Sequence, residues 1–238
     1  MDLVPRDLVA AAARRWLRYA APLTALSATA FAPVIVLALR TQVAIDRAGV
    51  TTTIARGWGL VALGWLCQLV LVGGATPIAR AAPAELSQLR AFTAGLAQLG
   101  RAIVPCVAAG VVIAIGCLAL VVPGLVLFAL LAVTGASDQR GVPAPLVDSI
   151  EFARRHLPAI AVAAGAMFVL DVTIGVAAQL VFASPAKLTV PALAAVPSFT
   201  RAIAGALVLV SPLPAMALAM VRARGLAPAP GFDVASPP

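Results

Sequence analysis

Asp171 is the residue of this sequence whose position most demands a chemical explanation. It stands at the middle of PAIAVAAGAMFVLDVTIGVAAQLVF, residues 158–182, a run with no other ionisable side chain. A carboxylate at the centre of a bilayer costs about 2.5–3.5 kcal/mol on insertion scales. Two chemistries offset such a cost. One is the carriage of a proton or cation by a titrating acid, as in a transporter. The other is a protonated acid that hydrogen-bonds a Gln, a Thr or a backbone carbonyl and so joins helices. Thr173 lies two residues on, and Gln179 eight on, which places Gln179 on the same helical face. Gln68, in the apolar run 57–79, and Ser27 or Thr24, in the run 21–39, are the further polar candidates for the same interior. No apolar run holds an Arg or Lys near its centre to pair with the acid.

The other reactive residue types are sparse. His156 is the only histidine, beside Arg154 and Arg155 at the start of an apolar run, where a headgroup or carbonyl partner is expected of it. Cys67, Cys106 and Cys117 fall inside apolar stretches with no CxxC spacing, so they read as small buried hydrophobes. The zinc-protease, serine-hydrolase, P-loop and dinucleotide signatures are absent, and no catalytic set, metal site or cofactor is expected. The loop GASDQRG, residues 135–141, is polar, and polarity alone does not make it a phosphate site.

The elements that position these residues follow from composition. Of 238 residues 62% are hydrophobic and 11% charged, against about 45–50% and about 25% in soluble domains. This implies an all-α polytopic membrane protein. The net charge of +8 comes from arginines scattered at the ends of apolar runs, without a basic stripe and interleaved aromatics, so no nucleic acid is expected. Anionic headgroups of the lipid bilayer are the expected partner, with a membrane protein or a second copy as further possibilities.

Charges delimit apolar runs at about 21–39, 57–79, 102–134, 157–183 and 202–221, and the third is too long for one span and short for two. Pro123-Gly124 divides it. If the chain reverses there, six spans result and both termini share a side. Arg6, Arg14, Arg15, Arg18, Arg80, Arg90, Arg101, Arg140, Arg154, Arg155, Arg222 and Arg224 then lie on that side, twelve residues, against Arg40, Arg47, Arg56, Lys187 and Arg201 on the other, five. Five spans would give nine against eight. The positive-inside rule therefore selects six spans with cytoplasmic termini and a tight hairpin tip at Pro123-Gly124.

Three amphipathic segments precede the odd-numbered spans on the cytoplasmic side. Segment 3–19 sets Leu8, Ala12, Trp16 and Tyr19 opposite Arg14 and Arg18. Segment 83–99 sets Leu86, Leu89, Phe92, Leu96 and Leu99 on one arc. Segment 143–157 sets Leu146, Ile150, Ala153 and Leu157 on one face, with Asp148 near its start and Glu151 and Arg155 on the polar side. The expected organisation is one transmembrane domain, 1–224, built of three parallel units at about 3–80, 83–134 and 143–222. A Pro/Gly-rich tail, 225–238, is expected to be disordered. Trp16 and Trp58 are expected in an interfacial belt. Gly57, Gly59, Gly64, Gly73 and Gly74 are candidates for close helix approach.

IAIGCLALVVPGLVLFALLAV, residues 113–133, followed by PAPLVDSIEFARRHLPAI, residues 143–160, resembles the six-span membrane domain fused to some bacterial glycerophosphodiester phosphodiesterases and related bacterial membrane proteins. Pro123, Gly124, Ser149 and Arg154 carry the pattern over some 60–70 residues; TGASDQRG departs from the Pro and acid usual there. No residues correspond to the hydrolase, so its activity does not transfer. The resemblance implies a membrane module acting on lipids or partner proteins. The expected function is non-catalytic organisation of envelope partners, with transport through Asp171 as the alternative.

Overall fold

The computed structural model describes residues 5–45, 50–81, 86–119, 121–182 and 205–225. These are all-α, in eight helices: α1 (Pro5–Arg18), α2 (Ala20–Ile45), α3 (Val50–Arg80), α4 (Gln88–Ala119), α5 (Val121–Leu131), α6 (Pro143–Arg155), α7 (Leu157–Phe182) and α8 (Pro212–Gly225). A single 3-10 turn, Thr134–Ala136, follows α5, and a helical stretch from Gly205 leads into α8. Four helical segments are long and apolar enough to cross a membrane: Ala20–Leu37, Ala62–Arg80, Gln88–Cys117 and Gly205–Gly225. Two apolar helices are shorter, Val122–Ala136 and Leu157–Met167. Fold and composition together define a multi-pass helical membrane protein.

Helix α3 is the axis of the bundle. It packs on α2, α4, α7, α8 and the 3-10 turn. Of its apolar segment 72% is buried, against 39% in α2 and α4. Small residues make the close approach to α4 possible. A Cβ on Gly73 would lie 2.5 Å from the Gly135 carbonyl oxygen and 2.7 Å from Ala102 Cβ; one on Gly74 would touch Leu99 at 3.4 Å. Gly64 has open space around it, so the glycines of α3 divide into two that set the crossing and one that does not. Gly57, Gly59 and Trp58 lie outside the residues whose side-chain surroundings are described.

Helix α4 corrects the expected second interfacial helix. Its residues from Gln88 onward are continuous with the span, because neither Gly100 nor Pro105 stops the helix. The expected apolar arc also divides. Leu99 is buried, while Leu89 and Leu96 are exposed. The buried stripe is instead Ala91, Gly95, Ala102, Cys106 and Ala109, small residues that allow backbones to approach. Ile103, Val107, Val111 and Ile115 face outward, where lipid tails are as apolar a neighbour as another helix.

After Ala119 the chain reverses and α5 runs back along α4. A Cβ on Gly116 would approach Leu127 and the Gly124 backbone, and Gly124 lies against the backbone of Cys117. Pro123 and Gly124 therefore fall in the first turn of α5 rather than at the hairpin tip. A proline this near a helix start loses no helical hydrogen bond, and glycine lets α5 lie on α4.

Candidate functional site

Polar side chains converge at one end of the bundle, where α3 and α8 end and α1, α4 and α6 meet them. The last carbonyls of a helix lack helical partners. Arg15 supplies them for α3, donating from Nη1 to the Ala79 oxygen at 2.8 Å and from Nη2 to the Ala81 oxygen. Tyr19 Oη donates to the Leu86 carbonyl at 3.2 Å, and Gln88 Nε2 to the Arg18 carbonyl at 2.9 Å. Ala12 and Tyr19 are buried as the amphipathic reading of segment 3–19 expects, Trp16 is partly buried, and Arg14 and Arg18 are exposed. Arg15 escaped that reading because it sits between the two faces of the helical wheel.

The loop after α5 is the centre of this end. Gly135 presses on α3, and a Cβ there would collide with the Leu69 carbonyl and lie 3.1 Å from the Gly73 nitrogen. Arg80 Nη1 pairs with Asp138 Oδ1 at 2.8 Å, and its Nη2 reaches the Ala136 oxygen at 3.4 Å. Ser137 Oγ donates to Asp148 Oδ2 at 2.5 Å and accepts from the Gln139 amide at 3.2 Å. Arg222, near the end of α8, also donates to Asp148 Oδ2, at 2.5 Å. Its guanidinium lies 4.5 Å from the centre of the Phe152 ring, and only 5% of its side chain is exposed. One carboxylate thus ties α6, α8 and the loop together. Asp148 sits early in α6, but its oxygen serves a neighbouring helix rather than capping its own.

Burial alone would raise the Asp148 pKa. Hydrogen bonds from Arg222 and Ser137, with the charges of Arg222 and Arg80, outweigh it and hold the carboxyl below its ordinary value. The ionised form is therefore favoured by folding. Its stabilisation is present above the ordinary carboxylate value of about 4 and is lost as pH falls through the lowered one. The thermal midpoint in detergent should exceed that of Asp148→Asn near neutral pH, and the gap should narrow below about pH 4. A gap independent of pH would contradict the assignment.

The residues singled out by sequence occupy separate places. Gln68 is fully buried in α3 and donates from Nε2 to Ser211 Oγ at 2.9 Å, at the entry to α8. Ser27 is buried in α2. Thr173 is exposed on α7, so it does not share the Gln68 interior. Asp171 and Gln179 lie on the same helix, with side chains outside the described residues. His156 ends α6, its amide donating to the Phe152 and Ala153 carbonyls, and its ring stacks on Phe152 at 4.6 Å. Arg154 and Arg155 beside it are exposed. Lys187, Arg201 and the tail from residue 226 lie outside the described residues.

Beside the loop is a cleft of about 510 Å³ between α4 and residues 134–141. Gln98, Arg101, Ala102 and Pro105 line one wall, and Thr134, Ser137, Asp138, Gln139 and Arg140 the other. Gly141, with φ of +90°, turns the chain out of it into α6, a conformation few side chains allow.

The class that these features define is a helical, multi-pass membrane protein with a polar plate at one end. Comparison with protein-family models, with curated proteins and with solved structures finds no match.

Proposed function

We propose that the chain is a non-catalytic integral protein of a bacterial inner membrane that organises lipids and membrane partners. In this reading it crosses the bilayer six times with both termini cytoplasmic, and the spans are α2, α3, α4, α5, α7 and the stretch Gly205–Gly225. The observation that carries the proposal is what the polar side chains do. Gln68 with Ser211, Asp148 with Arg222, Arg80 with Asp138, and Arg15 with the α3 carbonyls each fasten one part of the fold to another. Such groups serve architecture.

Three observations support the finer points. The return of α5 along α4 supports two passes in residues 102–134. Arg15, Arg18, Arg80, Arg101, Arg140 and Arg222, all assigned to the inside by charge counting, belong to the segments that meet at the polar plate. Buried in α6, Ser149 donates to the Leu130 carbonyl of α5 at 2.9 Å, joining hairpin and amphipathic helix as one motif.

The test is reconstitution of the purified chain in vesicles. The expected result is no proton or solute flux above protein-free vesicles, for the wild type and for Asp171→Asn alike. Energy transfer from its three tryptophans to labelled phosphatidylglycerol should exceed transfer to labelled phosphatidylcholine. Flux that requires Asp171 would replace this reading with the transport one.

A further inference from the structure

The cleft beside the loop carries charge that the fold does not use. Two arginines and one aspartate line it. The aspartate, Asp138, is paired with Arg80 at 2.8 Å. Arg101 and Arg140, which line the cleft, have no hydrogen bond or ion pair with any described residue. Two guanidiniums thus share one concavity whose single carboxylate is already paired with Arg80. Each adds repulsion to the folded state, and side chains with no role in the fold are free to swing to solvent. Their common placement therefore points to an anion.

The walls add donors suited to oxygen. Gln98 and Gln139 stand beside the arginines; Gln98 Nε2 gives one hydrogen to the Ser137 carbonyl at 3.5 Å and keeps its second. Thr134 lines the same cleft, 1% exposed, and its hydroxyl has no hydrogen-bond partner among the described residues. Buried hydroxyls are normally paired. A guanidinium matches a phosphate oxygen pair with two parallel N–H donors, which a single ammonium cannot do. The sequence reading saw only the loop, whose polarity alone did not make a phosphate site. The structure adds Arg101 from a helix 34 or more residues earlier, and the concavity between them.

We propose that this cleft binds a phosphate group, with Arg101 and Arg140 as its charged ligands and Gln98 and Gln139 as neutral donors. The proposal rests on the membrane reading for its lipid form, because the polar plate then lies at headgroup depth. A phosphodiester of an anionic lipid and a free phosphate present the same oxygens to the same donors. Asp138 is kept from repelling that anion by its bond to Arg80.

The experiment uses the full chain purified in nonionic detergent. Native mass spectrometry counts retained phosphatidylglycerol, and calorimetry titrates inorganic phosphate. The double variant Arg101→Gln/Arg140→Gln is compared with Arg154→Gln/Arg155→Gln, which removes the same charge from exposed positions outside the cleft. Circular dichroism and thermal midpoints verify that both variants fold, as expected of exposed arginines without partners. The expected result is about a tenfold or greater loss of lipid retention in the cleft variant alone, since each lost charged hydrogen bond is worth about a tenfold change or more. A matching loss of inorganic phosphate binding, with lipid retention unchanged, would uphold the site and assign it to free phosphate. Equal losses in both variants would reduce the effect to general surface charge and overturn the proposal. No loss in either assay would overturn it as well. None of these outcomes bears on flux or on lipid enrichment around the spans, so the site and the broader reading can fail separately.

Discussion

Asp148→Leu should cost about 3 kcal/mol of stability, because it leaves the Arg222 guanidinium buried without a counter-charge. The asymmetry of a buried ion pair is what makes this a large effect. The pair itself is worth little, since desolvating two charges offsets most of their attraction. Removing one partner keeps the desolvation cost and discards the attraction. Asp148 retains 26% of its side-chain exposure, which sets the expected loss toward the lower end of the range for such pairs. Arg222→Met in the same background should recover most of it. Methionine keeps the apolar contact with the Phe152 face and carries no charge to strand. Thermal unfolding in detergent micelles of the wild type, both single variants and the double variant gives the coupling directly. If the double variant is no more stable than Asp148→Leu, Arg222 is not the group left stranded.

Gly73→Val should be at least as damaging, and for a different reason. The space its side chain needs is filled by the Gly135 backbone on one side and Ala102 on the other. A flexible side chain can move aside; the Gly135 carbonyl, in a 3-10 turn whose next residue, Ala136, is held by Arg80, cannot move without the loop. Overpacking typically costs about 1–3 kcal/mol, and collision with backbone belongs at or above the top of that range. The loop would lift from α3, and with it the Ser137 contact to Asp148 and the cleft wall. Gly64→Ala in the same helix, where a Cβ meets nothing within 4 Å, is the matched control and should be neutral. Yield of folded protein by size-exclusion chromatography and thermal midpoint distinguish the two. A Gly73→Val protein with the midpoint of the wild type would show that α3 and the loop are not in close contact.

The two substitutions probe different levels of legibility. That residues 5–18 form an amphipathic helix, and that residues 143–155 form another, was written in the spacing of apolar and charged positions. Spacing reports a helix because its cause is local, the repeat of the backbone itself. The extent of α4 was less legible. An interfacial helix and a span in tandem have the same local pattern as one long helix, and only packing along α3 distinguishes them. The large apolar residues of α4 misled in a related way. In water they would point inward; beside lipid the small residues do, because close approach between helices is worth more than burying Leu89 or Leu96.

Sequence by itself determined that the chain is apolar, helical and built to cross a membrane. Composition and charge order are properties of the chain, and the bilayer acts on them before any tertiary contact forms. Only the tertiary structure decided which polar residues meet. Asp148 and Arg222 lie 74 positions apart, Arg80 and Asp138 58 apart, and Arg15 and Ala79 64 apart. No local pattern encodes such pairs, because each depends on how whole helices cross. The same crossing leaves Arg101 and Arg140 facing one cleft whose acid, Asp138, is paired with Arg80.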